Sequence, residues 1–272
     1  MFPLFTKSFP SSAAELTRLL NESLKRIFVV TADPVIVRSR SYPQLDEIDI
    51  SLEGARLRPN PPRPPLISSQ SSPTIQLARM TMNASALSVG PAKIDLSFSA
   101  RDLRLGQGKD ANGEIVLTVE SAGDGKIKIS TSPRDLEALI AEIAKSEAGR
   151  HGVTIDRVQL ILTRKDSHSV AAEVQLRARK LFLSASIRLS GQLDLDEKLN
   201  ARISGLTCTG DGAIASLACG VLAPHLQKLE RREFALMSLP LGEVRLRDLR
   251  LSVGETLTVA AEFGSEKAAL AI

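Results

Sequence analysis

The most regular hydrophobic pattern in the chain lies between residues 199 and 263. An alternating run over Leu199–Ile203 is followed by apolar residues at helical spacing over Asp211–Arg231, and then by two more alternating runs, 244–247 and 257–263. Alternation with a period of two is typical of strands with one buried face, whereas spacings of three and four are typical of amphipathic helices. The pattern predicts a long apolar helix that lies on a large sheet.

Two earlier helices are predicted from their starting residues. Ser12 and Glu15 form a capping box, and leucines at helical spacing follow as far as Ile27, which predicts a helix over Ser12–Ile27. Ser132 and Pro133 are typical of the N-cap and first helical position, and this helical pattern continues to Ala148. The alternating runs between the helices have short connections, including the hairpin signal Asn112-Gly113, and therefore predict antiparallel strands.

Four nearly uninterrupted alternating runs between 158 and 203 predict an antiparallel meander with one aliphatic and one polar face. The small residues Ala172, Ala178 and Ala185 lie in the aliphatic phase and leave room for another group to pack there. We expect this face and the third helix to share one interior. Its predicted lining is Val174, Leu176, Leu183, Ala185, Ile187, Ile203, Leu217, Val221 and Leu222. The function then depends on whether this interior is a solid core or a lipid-sized cavity.

The composition narrows the possible partners. Aromatic residues make up only 3% of the 272 residues, and Trp is absent, so the core must be aliphatic. The net charge of +4 suits an anionic surface such as phospholipid. Nucleic acid is disfavoured because the basic residues alternate with apolar ones and stacking aromatics are nearly absent. The length fits one large domain or two small ones. We expect a single elongated domain, 1–272, with an apolar tail, 1–11, and a Pro/Ser-rich loop, 58–73.

Two groups of residues are candidates for membrane contact. Phe2, Phe5 and Phe9 lie in the tail, which either packs against the body of the protein or dips into a membrane. Three cations end the third helix, where they either complement its dipole or contact lipid head groups. They are Lys228, Arg231 and Arg232.

The chain shows neither a run of 18 apolar residues nor a basic segment followed by an apolar one, so no transmembrane helix or signal peptide is predicted. We therefore expect a cytoplasmic or peripheral membrane protein. Cys208 precedes the third helix and Cys219 lies about 12 Å beyond its start. If the helix folds back, Cys219 is expected to face strand positions well before Cys208, so the sequence predicts two free, buried thiols.

Residues for catalysis or for metal binding do not form a recognisable pattern. The three histidines lie far apart in the sequence, and no metalloprotease, serine hydrolase, phosphate-loop or dinucleotide-binding motif occurs. The acidic run Asp194-Leu-Asp196-Glu197 lacks the glycine and terminal glutamate of a calcium loop, which favours a solvated turn. We therefore expect no enzyme activity, no cofactor and no metal.

Several segments of the second half resemble the DUF2993 family, whose named group is the LmeA-like phospholipid-binding proteins. The segments are 223–229, 236–246, 257–261 and 132–136 followed by 153–162. The resemblance implies an α+β fold of the tubular lipid-binding type, in which a strongly bent antiparallel sheet wraps around long amphipathic helices and encloses an apolar channel. It also implies phospholipid binding without catalysis.

The expected function is non-enzymatic binding, and possible transfer, of phospholipid or another acyl-chain lipid in that channel, with peripheral membrane contact. The alternative is a structural or scaffold domain with a solid core that binds a protein partner through a sheet edge or the Pro/Ser-rich loop. A hydrolase with an unrecognised site is a weaker alternative. Co-purifying lipid would separate the first two hypotheses.

Overall fold

The computed structural model describes residues 2–62, 65, 67, 72–150, 152–180, 183–196, 200–230, 233–235 and 245–264. Within them the chain forms three helices and sixteen strands. In chain order these are β1 (Phe2–Pro3), α1 (Ala13–Ile27), β2 (Phe28–Val29), β3 (Val35–Arg38), β4 (Gln44–Ser51), β5 (Arg56–Leu57), β6 (Ser72–Val89), β7 (Ala92–Lys109), β8 (Ile115–Ser121), β9 (Asp124–Thr131), α2 (Pro133–Gly149), β10 (Thr154–Arg164), β11 (Ser169–Lys180), β12 (Leu183–Leu195), β13 (Asn200–Asp211), α3 (Ala213–Glu230), β14 (Glu233–Ala235), β15 (Arg245–Val253) and β16 (Leu257–Gly264).

The described strands form two sheets. Sheet A has eleven strands, with the main order β15-β16-β9-β7-β6-β4-β3; β1 and β8 extend from β7, while β2 and β5 extend from β6. Sheet B has five strands in the order β10-β11-β12-β13-β14 and is antiparallel throughout. Sheet A is mixed, because β6 runs parallel to both β4 and β5.

The predicted α+β tubular fold, with one bent antiparallel sheet around long amphipathic helices, is wrong. Most of the described residues are in strands, and they form two sheets. The helices contain 15, 17 and 18 residues, so the longest spans about 27 Å, whereas the 18-residue strands β6 and β7 span about 60 Å each. Helices this short cannot serve as the axis of such a sheet. Their positions, however, agree with the predicted segments to within about two residues.

The parallel pairing in sheet A depends on the Pro/Ser-rich stretch. Antiparallel neighbours need only a tight turn, but parallel neighbours need a crossover of about a dozen residues. Residues 58–71 separate β5 from β6 and supply that length, although several of them lie outside the described residues. The sequence therefore predicted this connection as a loop, but it did not predict that β6, which follows the loop, runs parallel to β4 and β5.

Helix α1 and sheet A enclose a solid aliphatic core. Leu16, Leu20 and Leu24 of α1 are all buried against it, and Leu77 of β6 is only 2% exposed. Buried Asn21 fastens the helix to β3, since its side-chain oxygen accepts a hydrogen bond from the Val35 backbone N–H at 2.9 Å and its amide donates to the Val35 carbonyl at 3.3 Å. Both polar ends of Asn21 are thus satisfied inside the core.

The chain's single tyrosine gives a test of this packing. The Tyr42 hydroxyl donates a hydrogen bond to the Pro10 carbonyl at 2.7 Å, and partial burial, with a smaller effect from the Glu15 carboxylate, raises the pKa of Tyr42 to about 12. We expect tyrosinate absorbance after a rapid pH jump to show a midpoint near this value in the folded protein, against about 10 in denaturant.

The same shift predicts how stability depends on alkaline pH. Because the pKa of Tyr42 is raised in the folded state, the contribution of this residue to the free energy of unfolding is complete below pH 10. It is lost as the pH rises through about 12. Tyr42→Phe is the control, since it should lose the absorbance signal and flatten this part of the stability curve. A midpoint near 10 in the folded protein would show that the hydroxyl is solvated.

Candidate functional site

One face of sheet B is apolar. Val174 and Leu176 of β11 lie opposite Leu189 and Ile187 of β12, and directly opposed residues share a face. We call this surface the apolar face of sheet B. Its members are Ile155, Val158, Leu160 and Leu162 of β10, Val170, Ala172, Val174, Leu176 and Ala178 of β11, Ala185, Ile187, Leu189 and Leu193 of β12, and Ile203 and Cys208 of β13. Five of the predicted lining residues therefore share it, namely Val174, Leu176, Ala185, Ile187 and Ile203.

The other four predicted lining residues lie on β12 and α3. Leu183 begins β12, and Leu217, Val221 and Leu222 belong to α3. The side chains of these four residues lie outside those that the structure describes. Their part in a shared interior therefore stays a prediction.

Helix α2 covers the β10 side of the apolar face. Ala141, Ala144 and Ala148 of the helix join a cluster with Val158 and Ala178. Ala178 lies opposite Ala185, and these two are only 5% and 4% exposed. Small residues at this point allow the helix to approach the sheet closely, so the predicted space beside Ala178 is filled.

Two acidic side chains position α2 between the sheets. The Glu137 carboxylate accepts a hydrogen bond from the Leu160 backbone N–H of β10 at 2.7 Å. Asp135, in the first turn, accepts one from the Lys93 backbone N–H of β7 at 3.0 Å. Because β10 is an edge strand of sheet B, the contact with Glu137 also occupies a backbone donor that would otherwise be open to another strand.

Helix α3 covers β12 and β13 and is linked to β13 by a disulfide between Cys208 and Cys219. The prediction of two free thiols is wrong. Measured from the turn at 211–213, Cys208 lies about 10 Å back along the strand and Cys219 about 9 Å along the helix, so folding back brings them level. Their Cα atoms are 5.3 Å apart, within the usual range for a disulfide. Gly210 makes this approach possible, because a Cβ there would lie 2.5 Å from that of Ala215.

Strand β15 of sheet A covers the far end of the apolar face. Leu251 of β15 is buried together with Val170, Leu195 and Ala201 of sheet B. Leu249 and Val253 of β15 pack around this cluster. The two sheets therefore meet here, and the apolar face is bordered by α2, α3 and β15.

Between these three covers the packing is incomplete. Leu160, Ile187 and Leu189, at the centre of the face, are only half-buried. No side chain of α2 is fully buried, and Ile143 on this helix is 57% exposed. In contrast, the largest fully buried side chains of the described residues all come from the part of the chain before residue 118. The region between the apolar face of sheet B and its covers, which we call the second interior, is thus aliphatic but less closed than the core between α1 and sheet A.

The sequence-based prediction overlooked Leu160 and Leu189, although both follow the same alternation as the residues that it named. It also predicted that α3 alone packs on the apolar face of sheet B. The spacing of Ala141, Ala144 and Ala148 is the signal that could have indicated α2, because small residues three and four apart form a flat stripe on one face of a helix.

The aromatic tail packs against the protein. Phe2 pairs with Leu117 of β8, and both Phe2 and Phe9 contact the core formed by α1 and sheet A. The Phe5 ring lies 4.0 Å from the Arg26 guanidinium, in the geometry of a cation–π contact. These contacts favour the interpretation of a tucked tail over that of a membrane tip.

Of the three cations predicted at the end of α3, Lys228 is exposed in the last helical turn. Arg231 and Arg232 lie outside the described residues. Whether these cations contact lipid head groups stays a prediction.

Of the acidic residues in the predicted turn, Asp194 and Asp196 have structural partners, whereas Glu197 lies outside the described residues. Partial burial opposes ionisation of Asp194, but hydrogen bonds from Gln192, Ser169 and Ser204 outweigh it and hold the pKa of Asp194 below its usual range. Asp196 accepts hydrogen bonds from the backbone and side chain of Asn200, which close the turn. Across the described ranges, no group of three or more His, Cys, Asp or Glu side chains is placed to hold a metal ion.

None of the helices in the described part of the chain is both long and apolar enough to cross a bilayer. Comparisons with protein-family models, with curated proteins and with solved structures gave no match for this chain. The resemblance to the DUF2993 proteins therefore stays a prediction from the sequence.

Proposed function

We propose that this protein binds a phospholipid or another acyl-chain lipid, without catalysis, in the space between the apolar face of sheet B and its covers α2, α3 and β15. The observation that carries the proposal is the contrast in burial between the two interiors. Around Leu77 the side chains are closed off from solvent, whereas Ile187 and Leu189 remain half-buried on an equally aliphatic surface.

Incomplete burial of aliphatic side chains carries a free-energy cost that a lipid chain would remove. Each Å² of apolar surface taken from water contributes about 25 cal/mol, and each CH₂ group of the ligand about 0.8 kcal/mol. An acyl chain lying on Leu160, Ile187 and Leu189 would gain from both effects. The nearly aromatic-free surface suits a flexible chain, and the net charge of +4 suits an anionic head group.

The proposal is for binding rather than catalysis because the polar groups around this interior already serve the fold. Glu137 binds the backbone of β10, and Asp194 accepts three side-chain hydrogen bonds. The cysteines are joined to one another. These contacts occupy the Glu137 and Asp194 carboxylates and both cysteine sulfurs, which are groups that could otherwise act as a base or a nucleophile.

Blocking the interior with a bulky side chain tests the proposal. Ile187→Trp places an indole on the apolar face, while Ile161→Trp, the matched control, places one on the polar face of the same sheet, where Ile161 is 40% exposed. We expect the parent protein to carry lipid in native mass spectrometry and to bind a fluorescent fatty acid. Ile187→Trp should lose most of this binding, and Ile161→Trp should retain it.

Two results would contradict the proposal. One is a parent protein with a clean apo mass and no uptake of the fluorescent fatty acid, which favours the scaffold alternative. The other is equal binding by the two Trp variants. Ala185 is unsuitable for the test, because at 4% exposure a Trp there would overpack a closed site whether or not lipid binds.

A further inference from the structure

The polar face of sheet B carries a groove lined by three arginines from adjacent strands. Arg157 lies on β10, Arg177 on β11 and Arg188 on β12, and the groove that they line has a volume of about 350 Å³. Its wall also contains several neutral polar side chains and one carboxylate. These are Gln159, Gln175, Ser186, Thr209 and Asp211, and the lining is completed by Leu176, Ile187 and Gly210.

Two of these arginines oppose one another directly. Arg157 and Arg177 are register partners in the antiparallel pair of β10 and β11, so their Cβ atoms are about 5 Å apart. Like charges placed directly opposite in a sheet are destabilising. The fold therefore keeps a local repulsion that an anion between the two guanidinium groups would convert into attraction.

The nearby carboxylates do not neutralise this pair. Asp156 pairs with Arg179 at 3.3 Å, and Glu173 pairs with Arg188 at 3.1 Å. Among the residues that the structure describes, neither Arg157 nor Arg177 has an ion-pair partner. Asp211 lines the groove two strands away from Arg177, about 10 Å across the sheet, with Ser186 between them.

We propose that this arginine groove binds a phosphoryl group, from either a lipid head group at a membrane surface or a soluble phosphate ester. The planar guanidinium forks of Arg157 and Arg177 match phosphate oxygens in a bidentate manner. Arg188 keeps N–H donors beyond the one that it gives to Glu173, and the hydroxyls of Ser186 and Thr209 supply neutral donors. The three arginines lie on the opposite face of the sheet from the interior proposed for acyl chains, although Leu176 and Ile187 also line the groove.

The test compares two charge-equivalent variants of one strand. Arg177→Gln removes a groove arginine, and Arg179→Gln, the control, removes an arginine two residues away that is paired with Asp156. Calorimetric titration with inorganic phosphate and with glycerol 3-phosphate forms one arm. Flotation with phosphatidylcholine vesicles, with and without phosphatidylglycerol, forms the other.

We expect saturable binding in at least one arm, and the arm in which it occurs identifies the source of the phosphoryl group. Arg177→Gln should weaken binding about tenfold or more, as the loss of a charge-assisted contact predicts, and Arg179→Gln should change it by less than about twofold. Arg177→Gln should melt no lower than the parent, because it removes the repulsion with Arg157. Absence of binding in both arms, or equal weakening by the two variants, would overturn the proposal. Leu189→Trp, which places an indole on the apolar face at a residue outside the groove lining, should bind phosphate normally, which keeps this result separate from the lipid test.

Discussion

Leu77→Ala is expected to lower the free energy of unfolding by about 2–5 kcal/mol, whereas Leu189→Ala should lower it by about half as much or less. Both leucines lie in interior strands of their sheets, and both substitutions remove the same side-chain atoms. Leu77 is 2% exposed inside the closed core, so its loss removes buried contacts and leaves a cavity. Leu189 is only half-buried in the second interior, so it has fewer contacts to lose.

Denaturant unfolding of the lipid-free variants measures this difference in the free energy of unfolding. The same measurement is then repeated with added lipid. A ligand that binds only the folded state stabilises it by RT ln(1 + [L]/Kd). A saturating fatty acid should therefore raise the unfolding midpoint of the parent and of Leu77→Ala equally, and that of Leu189→Ala by less. Equal losses for the two leucines without lipid would show that both interiors are solid, in agreement with the scaffold alternative.

Replacing both cysteines with serine is expected to lower the free energy of unfolding by about 3 kcal/mol. The disulfide joins residues 11 positions apart, and most of its effect in the chain-entropy model comes from closing this loop in the unfolded state. It also holds α3 against β13, one border of the second interior. Loss of the link should therefore weaken lipid binding as well as stability.

Reductant supplies the control for the cysteine variant. The parent protein should lose similar stability when it is reduced, while Cys208→Ser/Cys219→Ser should not respond to reductant. Thiol titration of the denatured, unreduced parent should detect no free thiol. A count of two would contradict the disulfide and restore the prediction made from the sequence.

The disulfide also bears on where the protein works. Structural disulfides persist in oxidising compartments and are rare in the reducing cytosol. The bond between Cys208 and Cys219 is therefore typical of an oxidising compartment, whereas from the sequence we expected a cytoplasmic or peripheral membrane protein. The prediction of two free thiols was wrong because it considered how far Cys219 lies along the helix but not how far Cys208 lies back along the strand from the same turn.

Local signals in the sequence determined the elements. Ser12 and the Ser132-Pro133 pair marked helix starts because an N-cap needs only its own side chain and the next turn of backbone. Alternation likewise determined which residues share a face, as it did for Val174, Leu176 and Ile187, because the pleat of a strand sets it. These features depend on neighbours within a few positions, so they can be deduced from the sequence.

Only the tertiary structure decided which strands pair and how completely each face is covered. Ile48 and Ile187 follow the same alternation, but Ile48 is sealed by α1 and sheet A, whereas Ile187 lies half-buried between separate covers. The parallel pairing of β4 with β6 and the approach of Arg157 to Arg177 are likewise set by partners distant in the chain. Periodicity shows where a side chain points along its own strand, but what it meets there depends on long-range packing that no local pattern records.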